Sequence, residues 1–512
     1  MNRKIGVVLS YILMIFEVLS TLLLTPFIIK TLGQAEYGVY KLSAAINAYL
    51  LLLDLGIGNA ITRYIAKYMV TNEKENERKF FGVATIYYLF IAVVAIVCGI
   101  ILITIFPKAF AKGLTHKEII LGQQLLSITM INSAVTLGTA AYNNIIIAYE
   151  KFGVSKGASI IQIIFRIILT YIALLEGMGS IGIVSVNLLM TVICRLFFVF
   201  YVLFFLKLKP LFKGIDAGFI KEIVMYSSLI LLQMIATQIN SSVDQVLIGA
   251  LVGSSAVILA VYGVGTQIVQ YFQSIGSAFT GILMPGIVKL VENNPSNPKA
   301  IMDEMVRIGR IILIVLGMIW SVFIVNGEEF ICLWAGNDNR QAYLVAIILM
   351  SAYVFVLTES VGTQILWAKN EHKEQAIIKF LIVILNIFLT AVLIKWNPLI
   401  GATIGTFISL VFGDVVVMNV VFQKKLKLSI KNYYKKLFKG ILPGILITVL
   451  AGVGLRKLSE GMFGWVSFAL KSLFMVVIYV AYIYACGMNQ YEKNLCLSML
   501  KKNRRKRGEG TS

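Results

Sequence analysis

The chain has 512 residues, 59% of them hydrophobic and only 14% charged, with a mean hydropathy of +0.86 and a formal net charge of +21. That composition excludes a soluble domain with a wet surface and marks an all-α integral membrane protein. Short alternating strands are missing, which argues against a β-barrel. Two histidines, His116 and His372, lie far apart in loops, and the five cysteines show neither zinc nor disulfide spacing, so no metal centre is expected.

A helix rising ~1.5 Å per residue needs about 20 apolar residues to cross a hydrocarbon core of ~30 Å. Fourteen such helices are expected, the first seven near residues 6–30, 40–62, 82–106, 120–144, 155–175, 181–206 and 224–251. The others fall near 256–288, 308–326, 341–366, 376–395, 399–422, 438–455 and 465–487. The first is too long for a signal-peptide core, carries Glu17 and lacks a small-residue cleavage site, so it reads as a retained span. A charged linker is expected from Lys289 to Arg310, around NNPSNP. Assigning alternate loops to opposite faces gathers most of the 46 Lys and Arg on one of them, including the run from Lys424 to Lys439 and the tail KKNRRKR. The positive-inside rule then puts both termini in the cytoplasm, and the excess charge marks that face and its anionic lipids. Nothing beside the basic tail offers base stacking or groove reading, so no nucleic acid is expected as a partner.

Sliding the sequence against itself by 220 residues aligns Gly33 with Gly253, Gly56 with Gly276 and Ala148 with Ala368; one residue is then dropped and Gly182 meets Gly401. One offset held across six helices predicts two homologous, pseudo-symmetric six-helix bundles. The expected organisation is a lobe over 1–206, a cytosolic linker over 207–223, a second lobe over 224–425, two further membrane helices over 426–487 and a basic cytosolic tail over 488–512. An even number of spans per half puts both halves the same way up, the arrangement of two bundles rocking about a central cavity.

A charge near the bilayer centre costs at least ~2.5 kcal/mol and faces protein or water. Glu17, Asp54, Arg166 and Arg195 all fall near mid-span depth in the first half. Two acids and two bases at one depth either pair into a lattice that fixes helix register or line a cavity. The offset favours a cavity, since Arg166 maps onto Asn386, Arg195 onto Asp414 and Asp54 onto Ser274, so each position is polar twice. Asn59, Arg63 and Lys67 recur every four residues on one helical face, either as interfacial snorkelling or as a phosphate-attracting ring. Asp54, nine residues before Arg63, points away from that face. Gln238, Asp244, Gln267 and Glu359 give later spans polar faces with few charges, which suits hydroxyl-rich cargo. The GxxxG spacings at Gly249 with Gly253 and Gly401 with Gly405 read as helix packing.

No GxxxxGK[ST] loop, nucleophile elbow or metal-ligand cluster occurs, so catalysis is not expected and transport is. The stretch TLGQAEYGVY (Thr31 to Tyr40), followed by LLLDLGIGNAITRYIAKY and later by IIIAYEKFG and FICLWAG, resembles the Wzx-type polysaccharide flippases of the MATE-like exporter superfamily over roughly residues 1 to 425. The resemblance implies a two-lobed, MATE-like core in the bacterial cytoplasmic membrane. Such a core moves an undecaprenyl-diphosphate-linked oligosaccharide, a precursor of capsule, O-antigen or teichoic acid, from inner to outer leaflet by alternating access. It implies a cationic cavity for diphosphate and sugar, to which Arg63 in ITRY carries over best; Arg166 and Arg195 are added from depth alone. Asn59, Lys67, Gln238 and Gln267 complete the candidate substrate wall, and Glu17, Asp54, Asp244, Glu359 and Asp414 are candidate coupling or charge partners. Asp54 is expected to meet Arg166 or Arg195, or to take a proton. No cofactor is expected beyond a coupling Na+ or H+, the chain is expected to act as a monomer among membrane lipids, and a glycan polymerase or ligase is a conceivable neighbour. The competing readings are a MATE-type cation-coupled drug antiporter, which would prefer an acidic, aromatic cavity, and a membrane scaffold whose charges only dock helices.

Overall fold

The computed structural model describes residues 3–54, 56–212, 217–293, 297–369, 371, 373–459 and 461–494. Among them every regular element is helical and no strand occurs, as expected where lipid offers the backbone no hydrogen-bond partner. The chain opens with α1 (Arg3–Leu51), α2 (Ile57–Thr71), α3 (Lys74–Ala109), α4 (His116–Gly138), α5 (Ala140–Ala148), α6 (Phe152–Leu175) and α7 (Gly179–Phe200). It continues with α8 (Ala217–Leu251), α9 (Ala256–Asn293), α10 (Pro298–Ala335), α11 (Ala342–Thr358) and α12 (Ser360–Ala368). It ends with α13 (Lys373–Leu393), α14 (Pro398–Leu410), α15 (Met418–Lys425), α16 (Ile430–Phe438), α17 (Ile441–Leu458) and α18 (Trp465–Tyr482). Eleven helical segments among the described residues are long and apolar enough to cross a membrane. That is below the expected fourteen: α1 holds the first two expected spans in one element, and the side chains of α8 before Met234 and of α9 beyond Ala278 lie outside the described ones.

Several boundaries correct the sequence reading. The turn expected between the first two spans shrinks to Gly33, whose φ of 73° and ψ of 171° interrupt α1. A Cβ there would meet nothing within 4 Å, so glycine is required by its left-handed backbone and not by space. The second expected span is not one helix over 40–62. It breaks at a 3₁₀ turn, Leu52–Asp54, and restarts after Gly56 at φ 72°. The linker expected up to Arg310 is helical from Pro298, because the Asn297 side chain accepts from the Lys299 and Ala300 amides and Pro298 takes the first helical position.

The helix breaks repeat. α4 ends at Gly138 and α11 at Thr358, and α5 ends at Ala148 and α12 at Ala368, each 220 positions apart. α7 starts at Gly179 and α14 at Pro398, the shorter offset.

The chain forms two compact units, Met1–Val264 with Lys379–Thr406, and Gly265–Ile378 with Phe407–Ser512. In the first, Ile61 and Ile65 of α2 pack with Phe80, Phe81 and Tyr88 of α3 and Ile145 of α5. In the second, α10 is the central rod and contacts α11, α16, α17 and α18. Close approach fixes part of the first unit: a Cβ on Gly38 would lie 1.8 Å from the Ala256 carbonyl oxygen. Backbone on both sides cannot yield as a side-chain tip could, so Gly38→Ala is expected to cost about 1–3 kcal/mol. A thermal melt in detergent that matched the wild type would refute that.

Candidate functional site

In the first unit, α1, α4, α6 and α7 enclose a cavity of about 280 Å³. Its wall is rich in hydroxyl and amide groups, among them Thr25, Asn47, Asn132 and Asn187. Arg166 is the one charged side chain among the described lining residues. Ser133 donates to Asn47 Oδ1 at 3.0 Å, which orients one wall amide. Asn132 Oδ1 is buried without a hydrogen-bond partner among the described residues, an acceptor that a hydroxyl-bearing guest would satisfy. Glu17 is exposed and precedes the lining residues Ser20 and Thr21 by one helical turn, so it belongs to the face of α1 that borders this cavity.

The expected ion pairs are not made. Among the described residues no ion pair joins Glu17 or Asp54 to Arg166 or Arg195. Asp54 sits in the break between α1 and α2 and accepts a hydrogen bond from Tyr88 Oη at 2.7 Å. A phenol thus meets the carboxylate that sequence depth had matched with an arginine. Arg195 is half-buried with its guanidinium 5.9 Å from the centroid of the Phe198 ring, a face that attracts a cation. Equal depth sets the height of two groups in the membrane but not their azimuth, which is why charge-matching by depth failed. Arg63 and Lys67 are exposed on α2, while Ile61 and Ile65 of the same helix are buried, so the cationic row lies on the outer face of an amphipathic helix. The Asn59 side chain lies outside the described ones.

Asp244 on α8 is fully enclosed. Thr390 of α13 donates to its Oδ1 at 3.0 Å, Tyr262 of α9 donates to its Oδ2 at 2.5 Å, and Thr406 of α14 donates to Oδ2 as well. Thr390 Oγ1 also lies 2.9 Å from Asn386 Oδ1, so its one proton is shared between the two acceptors, and Asn386 Nδ2 donates to Asn240 at 2.7 Å. Four helices thus converge on one carboxylate with an oxygen-rich shell and, among the described residues, no cationic side chain. Nearby on α8, Gln238 donates to Ser242 at 2.7 Å. The sequence marked Asp244 and Asn386 but not Tyr262, Thr390 or Thr406, because hydroxyls on apolar helices look like ordinary packing until the helices meet.

In the second unit Glu359 occupies the break between α11 and α12 and is buried. Its Oε1 accepts from Asn419 at 2.9 Å and from Tyr434, while its Oε2 has no partner among the described residues. Burial, and then the Glu359 carboxylate, hold the Tyr434 phenol far above its usual pKa, so it remains a donor. Asp414 is buried within a π-helical segment, Val411–Val417. Gln267 is also buried and donates to Tyr271 Oη at 2.6 Å.

No curated protein matches the sequence. Among solved structures, the lipid II flippase MurJ in an inward closed conformation aligns with a TM-score of 0.72 at 16% identity, over 94% of this chain and 98% of that one. An inward-facing multidrug resistance transporter of the MATE family aligns at 0.59 and 14% identity, over 79% of this chain and 96% of that one. Its outward-facing counterpart aligns at 0.55 and 14%, over 82% and 96%. At these identities the likeness establishes a MurJ- and MATE-like fold and no more. The sequence itself matches the polysaccharide biosynthesis protein family over residues 6–291, more than half the chain, and the protein belongs to that family.

Proposed function

We propose that the protein is a flippase that carries a polyprenyl-diphosphate-linked oligosaccharide from the inner to the outer leaflet of the bacterial cytoplasmic membrane by alternating access. The observation that carries this reading is the cavity in the first unit, where a wall of hydroxyls and amides surrounds the single guanidinium of Arg166. Sugars ask for many neutral hydrogen-bond partners and a diphosphate for a charge-assisted one. The family supports a role in polysaccharide synthesis, and family and fold are those of transporters rather than catalysts. The exposed row of Arg63 and Lys67 suits a first encounter with the diphosphate at the cytosolic mouth, in the orientation the basic loops imply. Asp244 and its oxygen shell suit a small hard coupling cation, Na+, or a proton.

The test is restoration of surface glycan in a strain lacking its own flippase. Wild type should restore it, and Arg166→Glu should lower export at least about tenfold while the protein still reaches the membrane, since a charge-assisted contact of ~1.5–3 kcal/mol becomes a repulsion. Full export by the variant would remove Arg166 from the substrate path. Expression that raised drug resistance without restoring glycan would instead favour the antiporter reading, although no carboxylate lines this cavity among the described residues.

A further inference from the structure

A second cavity, of about 610 Å³, lies in the second unit where α10 and α17 end and α18 begins. The transport reading makes no use of it. Its described wall holds three cations, Arg340, Arg456 and Lys471, against two carboxylates, Glu328 and Glu329. Glu328 bridges the arginines, accepting from Arg456 Nη2 at 3.0 Å on Oε2 and from Arg340 on Oε1. Glu329 accepts from Lys471 Nζ at 2.6 Å, and both are nearly buried, with side chains 10% and 8% exposed. One positive charge is left over. Arg340 gives only its Nε to protein among the described residues and is 67% exposed, so its Nη fork remains available to a guest. Glu329 Oε1 is buried and has no donor among the described residues.

An apolar lip adjoins this charged wall. Phe463, which lines the cavity, is 63% exposed and Trp465 is 51% exposed, with Leu458, Met462 and Val466 more exposed still. Gly461 at φ 90° and Gly464 at φ 140° let the chain turn through the lip. Aromatic and apolar side chains beside cations are the composition of a membrane–water boundary. A soluble anion has no use for such a lip, whereas a lipid lays its chains against it. A divalent cation fits poorly, since each carboxylate already faces a cationic partner.

We propose that this cavity seats the phosphate of an anionic phospholipid whose head group carries a hydroxyl, such as phosphatidylglycerol. The Arg340 and Arg456 guanidinium groups hold the phosphate, the head-group hydroxyl donates to Glu329 Oε1, and the acyl chains lie on the Phe463 and Trp465 lip. Binding is read directly, with no transport step, so its outcome is independent of the flippase reading. The full-length protein in detergent is titrated with phosphatidylglycerol, phosphatidylcholine or inorganic phosphate, and bound lipid is counted by native mass spectrometry. Phosphatidylglycerol should bind and stabilise the protein, and Arg340→Gln with Arg456→Gln should weaken that binding about tenfold or more. Lys436→Gln, in the exposed pair with Asp303 at the other end of α10, should leave it unchanged. Should the double variant not fold, Arg340→Gln alone carries the test, because that side chain is largely in solvent. Unaltered affinity in the arginine variants, equal binding of phosphatidylcholine, or displacement of the lipid by equimolar inorganic phosphate would each overturn the proposal.

Discussion

Arg310→Ala is expected to cost ~3–5 kcal/mol and to release the segment that follows α18. Arg310 lies on α10 with its guanidinium buried against Glu492, Nε to Oε1 at 2.6 Å and Nη2 to Oε2 at 3.1 Å. Its other donors reach the carbonyls of Lys436 at 3.0 Å, Lys439 at 2.7 Å and Gly487 at 2.6 Å. All five N–H groups are used, and Glu492 is further held by the amide of Asn489 at 2.9 Å. One side chain thereby ties α10 to the α16–α17 turn and to the end of α18, the expected appended helix pair. Removing it strands a buried carboxylate and three carbonyls. Lysine cannot substitute, because a point charge does not reproduce a planar fork that bonds in two directions. Arg310→Met with Glu492→Met should cost less than either single change, since the uncompensated charge disappears with its partner. Melting temperature in detergent and tryptic release of the C-terminal tail report both effects. A single variant that melts with the wild type would show the pair to be ornamental.

The membrane helices were legible because lipid imposes their length and apolarity, and the recurrence of helix breaks 220 residues apart because one offset ran through the sequence. The break at Gly33 falls in the expected turn, whereas the one at Gly56 cuts a span expected to be a single helix. Gly33 and Gly56 interrupt helices through positive φ, whereas nothing in the residue types at Thr139 or Glu359 announces the ends of α4 and α11. Packing by small residues was readable in part: a Cβ on Gly401 would lie 2.2 Å from the Leu393 carbonyl oxygen, while one on Gly253 would meet nothing closer than 3.8 Å. For the candidate site, depth found Arg166, which does line a polar cavity, and misassigned its partners. Arg310 was missed because NNPSNP suggested a linker, and the Asn-Pro pair that caps α10 could have corrected it.

Asp244 offers the sharpest functional expectation. A carboxylate enclosed by four helices, with no cation beside it among the described residues, stays there only if its shell meets the charge, and here three hydroxyl donors do so, from Tyr262, Thr390 and Thr406. Asp244→Asn keeps the shape and the hydrogen-bonding capacity, because hydroxyls can rotate to accept where they had donated. The protein should therefore still fold and insert, yet export in the flippase-null strain should fall at least about tenfold as the charge that attracts the coupling cation is lost. Thr406→Ala should act more mildly, retaining the carboxylate and removing one oxygen, so that transport in proteoliposomes needs a higher Na+ concentration, or a steeper proton gradient if the ion is H+. A wholly structural role makes a different pattern: both variants would lower thermal stability, and whatever protein survived would transport with unchanged ion dependence. Full export by Asp244→Asn would remove this carboxylate from the coupling step altogether.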